Sequence, residues 1–274
     1  MKKCFAETRI RGHRWRWLAA AATLTGAIGI ASAGEVLDRV RATGTLRVCI
    51  WPEYYGVSLR SARDQKLSGI DIDLSKALGL DLGVGVQYVD SSFPSLIQDL
   101  QRDRCDVAMF AVGVTPDRQA ALRFTRPYLQ SDIYGVALKA NRTITTWDDI
   151  DRDGVVAAVQ AATFMEPVMA ARLRHARLVS IRLPQTRERE LEAGRVDVFM
   201  TDYPYSRRLL DNADWAVLIA PSAPFHPVPY AYAVRPGDDD WLGSVDAFVM
   251  RIQGDGRLDA AAQRHGLGAI VRLR

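Results

Sequence analysis

One arginine in the sequence lies where a cation can meet a bound anion. The run Thr115-Pro116-Asp117-Arg118 follows an apolar, strand-like segment. Thr115 is a good N-cap and Pro116 a good first-turn residue, so the pattern predicts a short helix with Arg118 in its first turn. Ligands of α/β proteins bind at this edge of the sheet, and a guanidinium makes paired, charge-assisted hydrogen bonds to a carboxylate. Arg118 is therefore a candidate carboxylate-binding residue; the alternative is an ion pair with Asp117 or another surface acid.

The sequence offers less support for other chemistry. His175, His226 and His265 are far apart and lack the spacing of metal ligands. Neither a Gly-x-Ser-x-Gly elbow nor a phosphate-binding glycine loop is present. We therefore expect no metal or nucleotide cofactor. The charged run from Thr186 to Glu190 is interpreted as an exposed helix with ion pairs along its surface.

The elements around Arg118 alternate between short strands and helices, which predicts a parallel α/β architecture. The first series comprises a strand over 46–51, a helix over 72–82, a strand over 84–89, a helix over 94–102 and a strand over 106–112. A second series repeats this plan with a strand over 155–160, a helix over 163–173, a strand over 178–181, a helix over 186–193 and a strand over 196–201.

Two extended stretches, 128–136 and 227–234, are placed to carry the chain from the first series to the second and back. Two C-terminal helices, over 241–252 and 258–264, are then expected to pack on the first series. The sequence thus predicts two lobes joined by a two-strand hinge, with a ligand cleft between them. The predicted limits are 34–131 plus 229–274 for lobe 1 and 132–228 for lobe 2.

The N-terminal segment has the features of an export signal. An apolar run from Trp17 to Ile30 ends in Ala31-Ser32-Ala33, and it is preceded by six basic residues, Lys2, Lys3, Arg9, Arg11, Arg14 and Arg16. The apolar run is shorter than the roughly 20 residues that span a bilayer, and its small-residue end suits signal peptidase. Residues 1–33 are therefore predicted to be a signal peptide, cleaved near Ala33, which leaves a soluble protein.

The charge balance changes once this segment is set aside. The full sequence has a formal net charge of +4, but residues 34–274 contain 30 basic and 31 acidic residues. The basic excess belongs to the export signal, so it gives no support to a nucleic-acid or anionic-membrane partner.

Two cysteines, Cys49 and Cys105, follow the predicted signal peptide, and export to an oxidising compartment makes a disulfide feasible. Cys49 lies near the end of its predicted strand and Cys105 at the start of another. If these strands are parallel neighbours, the stagger exceeds the reach of a disulfide, whose Cα atoms lie within about 7 Å. Free thiols are therefore favoured over a disulfide.

Several short stretches, in this order and spacing, resemble the family 3 bacterial extracellular solute-binding proteins over nearly all of residues 34–274. They are 44–48 (GTLRV), 67–74 (LSGIDIDL), 104–108 (RCDVA), 115–118 (TPDR), 124–128 (FTRPY) and 194–202 (GRVDVFMTD). The resemblance implies a two-lobed, type II-like periplasmic binding protein fold, with two parallel or mixed sheets flanked by helices. It further implies a periplasmic protein, expected to be a monomer, that captures an amino acid or similar zwitterion and delivers it to the permease of an ABC importer.

The resemblance also names site residues. Arg118 matches the arginine that binds the ligand α-carboxylate, and Asp202 matches the acid that binds the α-ammonium. Asp202 is also placed to cap the helix that begins near Tyr203. Thr163 matches a threonine that contacts the carboxylate, although Ala161 and Ala162 depart from the family pattern at that turn.

The side-chain pocket is expected to be aromatic. Polar-amino-acid binders of the family often have an acid near the position of Trp51, and with Tyr54, Phe110 and Phe164 this residue suggests an aromatic cleft. Such a cleft suits an apolar or aromatic group, or a cation through cation–π contact. Glu53 is close enough in sequence to restore the missing charge.

Two alternative functions stay open. Periplasmic cyclohexadienyl (arogenate/prephenate) dehydratases resemble the same family, and fold alone does not separate an enzyme from a binding protein. Dehydration requires a general acid, and the segment Tyr203-Pro204-Tyr205-Ser206 after Asp202 contains no carboxylate, although Glu53 or Glu166 is able to supply one. A sensor or accessory binding role is the other alternative.

Overall fold

The computed structural model describes Met1 and residues 34–272. Apart from Met1, the predicted signal peptide, 1–33, lies outside the described residues. No helix within 34–272 is long and apolar enough to cross a membrane.

Thirteen strands lie within the described residues, most of them in two sheets. In chain order they are β1 (Thr45–Ile50), β2 (Leu59–Arg60), β3 (Leu67–Ser68), β4 (Gly85–Asp90), β5 (Val107–Gly113), β6 (Arg123–Phe124), β7 (Leu129–Ser131), β8 (Tyr134–Leu138), β9 (Val156–Gln160), β10 (Arg177–Ile181), β11 (Val198–Thr201), β12 (Ala216–Ile219) and β13 (Val228–Val234).

Nine α-helices lie in the same part of the chain and connect or flank these strands. They are α1 (Glu35–Thr43), α2 (Ile70–Leu82), α3 (Leu96–Gln101), α4 (Pro116–Ala121), α5 (Met165–Arg172), α6 (Arg187–Glu192), α7 (Tyr203–Leu210), α8 (Asp239–Gly254) and α9 (Arg257–Arg264). The alternation of strands and helices predicted from the sequence is confirmed, with ends shifted by one or two residues.

The two main sheets follow the same plan. The first has the order β4-β1-β5-β13-β6, in which β4, β1 and β5 are parallel and β13 is antiparallel to β5. The second has the order β10-β9-β11-β8-β12, in which β10, β9 and β11 are parallel and β8 is antiparallel to β11. Each sheet, with its helices, forms one lobe of a two-lobed α/β fold.

The chain crosses from the first sheet to the second between β7 and β8, and it returns between β12 and β13. At the crossing, β7 and β13 are neighbouring strands and pair antiparallel. Hydrogen bonds from the Phe225 and His226 amides to the Asp132 carboxylate, both 2.7 Å, link the two crossing segments. The exact limits of the lobes stay a prediction.

The N-terminal end of α2 requires a glycine. Gly69 has a φ of 133°, and a Cβ atom there would lie 2.2 Å from the carbonyl oxygen of Val57. Only glycine tolerates both the backbone conformation and this close approach. The following turn places Asp71 fully inside the first lobe.

The expectation of free thiols is wrong, because Cys49 and Cys105 form a disulfide with a Cα–Cα distance of 5.5 Å. The prediction placed Cys105 at the start of a strand, but β5 begins at Val107, and Cys105 lies in the irregular segment that precedes it. Residues outside the strand are not held at the spacing of the strand ladder, so Cys105 comes within reach of Cys49.

Candidate functional site

A cavity lies between the two lobes, and the space free of protein atoms within its limits is about 340 Å³, including open solvent. The first lobe contributes five wall residues: Trp51, Tyr54, Phe93, Ala111 and Gly113. The second lobe contributes eight: Gln160, Thr163, Phe164, Met165, Arg187, Thr201, Asp202 and Tyr205. Most of them lie at or just beyond the carboxyl end of a parallel strand, where α/β folds bind ligands.

Arg118 lies beside this cavity, in the first turn of α4 as predicted. The Thr115 side chain accepts a hydrogen bond from the Arg118 amide at 3.4 Å and caps the helix. The guanidinium donates to the carbonyl oxygens of Gly113 (3.0 Å) and Ala162 (3.2 Å), and its central carbon lies 5.2 Å from the centre of the Phe93 ring.

Arg118 is buried without an ion-pair partner among the described residues. Its side chain is 7% exposed. Burial lowers the pKa of Arg118 to about 10, opposed by the nearby phenols of Tyr230 and Tyr54. It is therefore still protonated at neutral pH. The predicted alternative, an ion pair with Asp117, is not formed, and the buried cation retains N–H groups for a ligand.

The turn that contains Thr163 joins β9 to α5. The Thr163 hydroxyl donates to the Gln160 carbonyl at 2.7 Å. Ala162 has a φ of 59°, a conformation that alanine adopts only under strain, and the Glu166 carboxylate accepts from its amide at 2.7 Å. Since the Ala162 carbonyl accepts from Arg118, this turn is the point where the second lobe contacts the cation of the first.

Asp202 lies at the end of β11, is 2% exposed and caps α7 through the Tyr205 amide at 3.1 Å. Its Oδ2 atom accepts hydrogen bonds from the hydroxyls of Tyr54 and Tyr230, the latter at 2.7 Å. The pKa of Asp202 is raised by burial, which outweighs the lowering by these phenols, the Tyr205 amide and the charge of Arg187. The capping role considered in the sequence is confirmed, and Oδ1 retains acceptor capacity on the cavity side of the cap.

The aromatic residues divide into a wall and a layer behind it. Trp51, Tyr54 and Phe164 line the cavity, and so does Phe93, which lies 5.2 Å from Trp51 between ring centres. Phe110 is fully buried and packs behind Phe93 at 5.3 Å rather than on the wall. The sequence analysis missed Phe93.

Arg187 corrects the interpretation of the run Thr186–Glu190 as an exposed, ion-paired helix. Its side chain is 4% exposed and lies on the cavity wall, and it forms no ion pair with any residue of 34–272. Arg189 and Glu190 on the same helix lie toward the surface, with Glu190 paired to Arg195. One face of the six-residue helix α6 lies on the cavity and the other faces solvent, and both carry charged residues. The charge pattern alone therefore did not reveal the buried face.

Ala111 is a second strained residue at the cavity, with a φ of 48°. Its amide donates to the Asp71 carboxylate at 2.8 Å, and Tyr128 and Tyr232 donate their hydroxyls to the same carboxylate. Asp71 therefore fixes the wall of the cavity from behind.

Neither of the other two acids considered from the sequence is a wall residue. Glu53 is exposed, and partial burial together with Glu188 raises its pKa. Glu166 is engaged by Ser180 and by the Ala162 amide, which lower its pKa. Within 34–272, no group of His, Cys, Asp and Glu side chains is arranged to hold a metal ion.

Sequence reasoning also missed Arg187, Thr201, Tyr205 and Tyr230. One signal was available for the first two: Arg187 follows β10 and Thr201 ends β11, at the same sheet edge that pointed to Arg118 and Asp202. Tyr230 reaches the site from the antiparallel strand β13, for which that rule gives no guidance.

Two α/β lobes around a cavity with buried charges define a two-lobed ligand-binding protein. Residues 46–268 match the model of the bacterial extracellular solute-binding proteins, family 3, and the chain belongs to this family.

Individual relatives cover most of the chain. The cyclohexadienyl dehydratase of Pseudomonas aeruginosa is 28% identical over 214 residues, 78% of this chain and 79% of that protein. The L-cystine-binding protein TcyJ of Escherichia coli is 25% identical over 230 residues, 84% of this chain and 85% of that protein. The crystal structure of the ancestral amino acid-binding protein AncCDT-1, a precursor of cyclohexadienyl dehydratase, has a TM-score of 0.76 at 28% identity, covering 83% of this chain and 98% of that one.

Proposed function

We propose that this protein binds a small carboxylate-bearing solute of the amino-acid type between its lobes and delivers it to the membrane permease of an ABC importer. In this proposal it is exported to the periplasm and acts there as a monomer, without a cofactor. The observation that carries the proposal is the guanidinium of Arg118, buried beside the cavity and without an acidic partner among the described residues. A buried cation of this kind is stabilised by an anionic ligand.

Each site residue has a role in this proposal. Arg118 binds the α-carboxylate through its remaining N–H groups. Thr163 lines the cavity at the same turn, and its hydroxyl turns from the Gln160 carbonyl to the carboxylate when the ligand binds. Asp202 binds the α-ammonium at Oδ1, because Oδ2 already accepts two phenols. Trp51 and Tyr54 of the first lobe and Phe164 of the second enclose the rest of the ligand, with Phe110 supporting Phe93 from behind.

The test combines a thermal-shift screen of amino acids with calorimetry on the solutes that stabilise the protein. A ligand at 100 times its Kd stabilises the folded protein by about 2.7 kcal/mol. We expect Arg118→Ala to weaken binding by about 30-fold to several thousand-fold, since removing one partner of a buried, charge-assisted pair costs about 2 to 5 kcal/mol. Arg118→Lys keeps the charge but loses the planar fork, and should bind more weakly than wild type.

Arg123→Ala is the matched control, because Arg123 is exposed, lies just beyond α4 and has no part in the cavity. It should bind as wild type does. Unchanged affinity in Arg118→Ala, with the fold intact by circular dichroism, would place the carboxylate site elsewhere and contradict the proposal.

The similarity to a cyclohexadienyl dehydratase supports a second candidate, an enzyme on the same scaffold. Of the described wall residues, Asp202 alone carries a carboxylate, and its Oδ2 atom accepts hydrogen bonds from two phenols instead of donating one. A dehydratase needs a general acid at the departing hydroxyl, so the arrangement favours binding. Formation of phenylpyruvate from prephenate, or of phenylalanine from arogenate, abolished in Asp202→Asn, would establish the enzyme instead.

A further inference from the structure

A second buried guanidinium, that of Arg187, lies on the wall of the cavity. It donates to the Met200 carbonyl at 2.7 Å, and its central carbon lies 4.6 Å from the ring centre of Tyr205 and 5.2 Å from that of Phe199. These contacts hold the side chain in place but use only part of its hydrogen-bonding capacity. Glu188, its neighbour on α6, accepts from the Tyr205 hydroxyl at 2.8 Å and makes no ion pair with Arg187.

An unpartnered hydroxyl lies on the same wall. Thr201 is 1% exposed, and among the described residues its Oγ1 atom is the one buried side-chain polar atom without a hydrogen-bond partner. Buried polar groups in folded proteins nearly always have a partner, and one without it points to a ligand or a water molecule. Thr201 ends β11 and directly precedes Asp202, and both residues line the cavity.

The buried charges of the site do not balance for a neutral zwitterion. Two guanidiniums, Arg118 and Arg187, face a single carboxylate, Asp202. A zwitterion that pairs with Arg118 and Asp202 leaves Arg187 with no acid of its own, because Asp202, the one carboxylate on the described wall, is then bound to the ligand ammonium. A ligand with a second anionic group corrects the balance and supplies an acceptor for both Arg187 and Thr201.

We propose that Arg187 and Thr201 form a subsite for a second anionic group, so that the ligand is an amino acid with an acidic side chain or a similar amino dicarboxylate. This inference rests on the proposed function, since it assigns Arg118 and Asp202 to the α-carboxylate and α-ammonium. It also excludes lysine and arginine as preferred ligands, because their side chains would place a cation against Arg187.

The experiment compares acidic probes with neutral partners of matched length by calorimetry: L-aspartate with L-asparagine, L-glutamate with L-glutamine, and L-2-aminoadipate with L-norleucine. We expect at least one acidic probe to bind ten-fold or more tightly than its neutral partner. Arg187→Gln should weaken binding of the acidic probe far more than binding of its neutral partner, and so remove that preference. Arg189→Gln is the matched control on the exposed side of the same helix and should behave as wild type.

Thr201→Val provides a second variant that preserves side-chain shape. It removes an unpartnered buried hydroxyl, so the ligand-free protein should melt at an equal or higher temperature while the acidic probe binds several-fold more weakly. A merely structural role for Thr201 would leave that affinity unchanged. An unchanged affinity of Thr201→Val for the acidic probe would count against the subsite even if Arg187→Gln failed to fold.

The other outcomes separate the two proposals. Equal or tighter binding of the neutral partners by wild type, with affinity lost in Arg118→Ala, overturns the second subsite and leaves the proposed function standing. If Arg187→Gln weakens binding of an acidic probe and of its neutral partner equally, Arg187 has a structural role, and this result also overturns the subsite. If none of the six probes nor any other amino acid binds, both proposals fail.

Discussion

At the scale of single residues, the candidate site contains buried charged side chains. Uncharged neighbours hold each of them in place without forming an ion pair. Carbonyl groups and an aromatic face hold Arg118, and phenols and a backbone amide hold Asp202. Asp71 follows the same rule one layer deeper, where it binds Tyr128, Tyr232 and the Ala111 amide. Hydrogen bonds fix the geometry of these groups and leave the charges of Arg118 and Asp202 without an ion-pair partner among the described residues, as the proposed ligand requires.

The burial of Asp71 predicts a pH-dependent stability. Burial raises the pKa of Asp71 to about 6, above that of the unfolded chain, so between pH 4 and 6 the folded protein binds a proton that the unfolded chain has released. Asp71 therefore makes the free energy of unfolding fall as pH rises through this window, by at most about 3 kcal/mol, with no further change above it.

Urea unfolding of wild type and Asp71→Asn from pH 4 to pH 7 measures this effect. The stability of wild type relative to the variant should decrease from pH 4 to pH 6 and then level off. Other titrating groups cancel in the difference between the two proteins. A constant difference across the range would mean that Asp71 ionises as it does in the unfolded chain.

At the scale of elements, short helices that follow the carboxyl ends of strands place the functional groups. A threonine N-cap begins both α4 and α6, which carry Arg118 and Arg187, and Asp202 caps α7. The start of α2 is set differently, by a close backbone approach at Gly69 that fixes Asp71 behind the cavity.

This difference predicts unequal effects for two glycine substitutions at the ends of α2. Gly69→Ala should destabilise the protein by about 2 to 5 kcal/mol, because the new Cβ would meet the Val57 carbonyl in addition to the backbone strain. Gly83→Ala at the other end shares a positive φ, 72°, but its Cβ meets nothing within 4 Å, so about 1 to 2 kcal/mol is expected. Equal losses in denaturant unfolding would show that the close approach at Gly69 has no energetic consequence.

At the scale of the whole molecule, contacts across the cavity join the lobes. Arg118 donates to Ala162, and Tyr230 donates to Asp202 at 2.7 Å. Where the chain crosses, the Tyr203 amide donates to the Ser131 hydroxyl at 2.9 Å. A ligand that bridges Arg118 and Asp202 adds to these contacts only when the lobes are together, so it must favour the closed state.

Small-angle X-ray scattering tests this coupling. With a solute first verified by calorimetry, the saturated protein should have a smaller radius of gyration than the free protein. Arg118→Ala at the same solute concentration serves as the control and should scatter like the free protein. Identical profiles for free and saturated wild type would contradict ligand-driven closure.

The order of strands and helices and the position of Arg118 in the first turn of α4 followed from the sequence, because caps, turns and apolar periodicity act over a few residues. The capping position of Asp202 followed in the same way, whereas its ligand role was implied by the resemblance to the family. The tertiary structure alone decided the Cys49–Cys105 disulfide and the burial of Arg187, since each depends on which distant segments meet.

The unpartnered Thr201 hydroxyl and the phenols on Asp202 belong to the same group of features. The hydrogen-bond partners of these side chains come from segments that are distant in sequence and meet only in the packed molecule. The local sequence pattern contains no information about them. The charge balance of the cavity, from which the second subsite is inferred, was therefore visible only in the folded molecule.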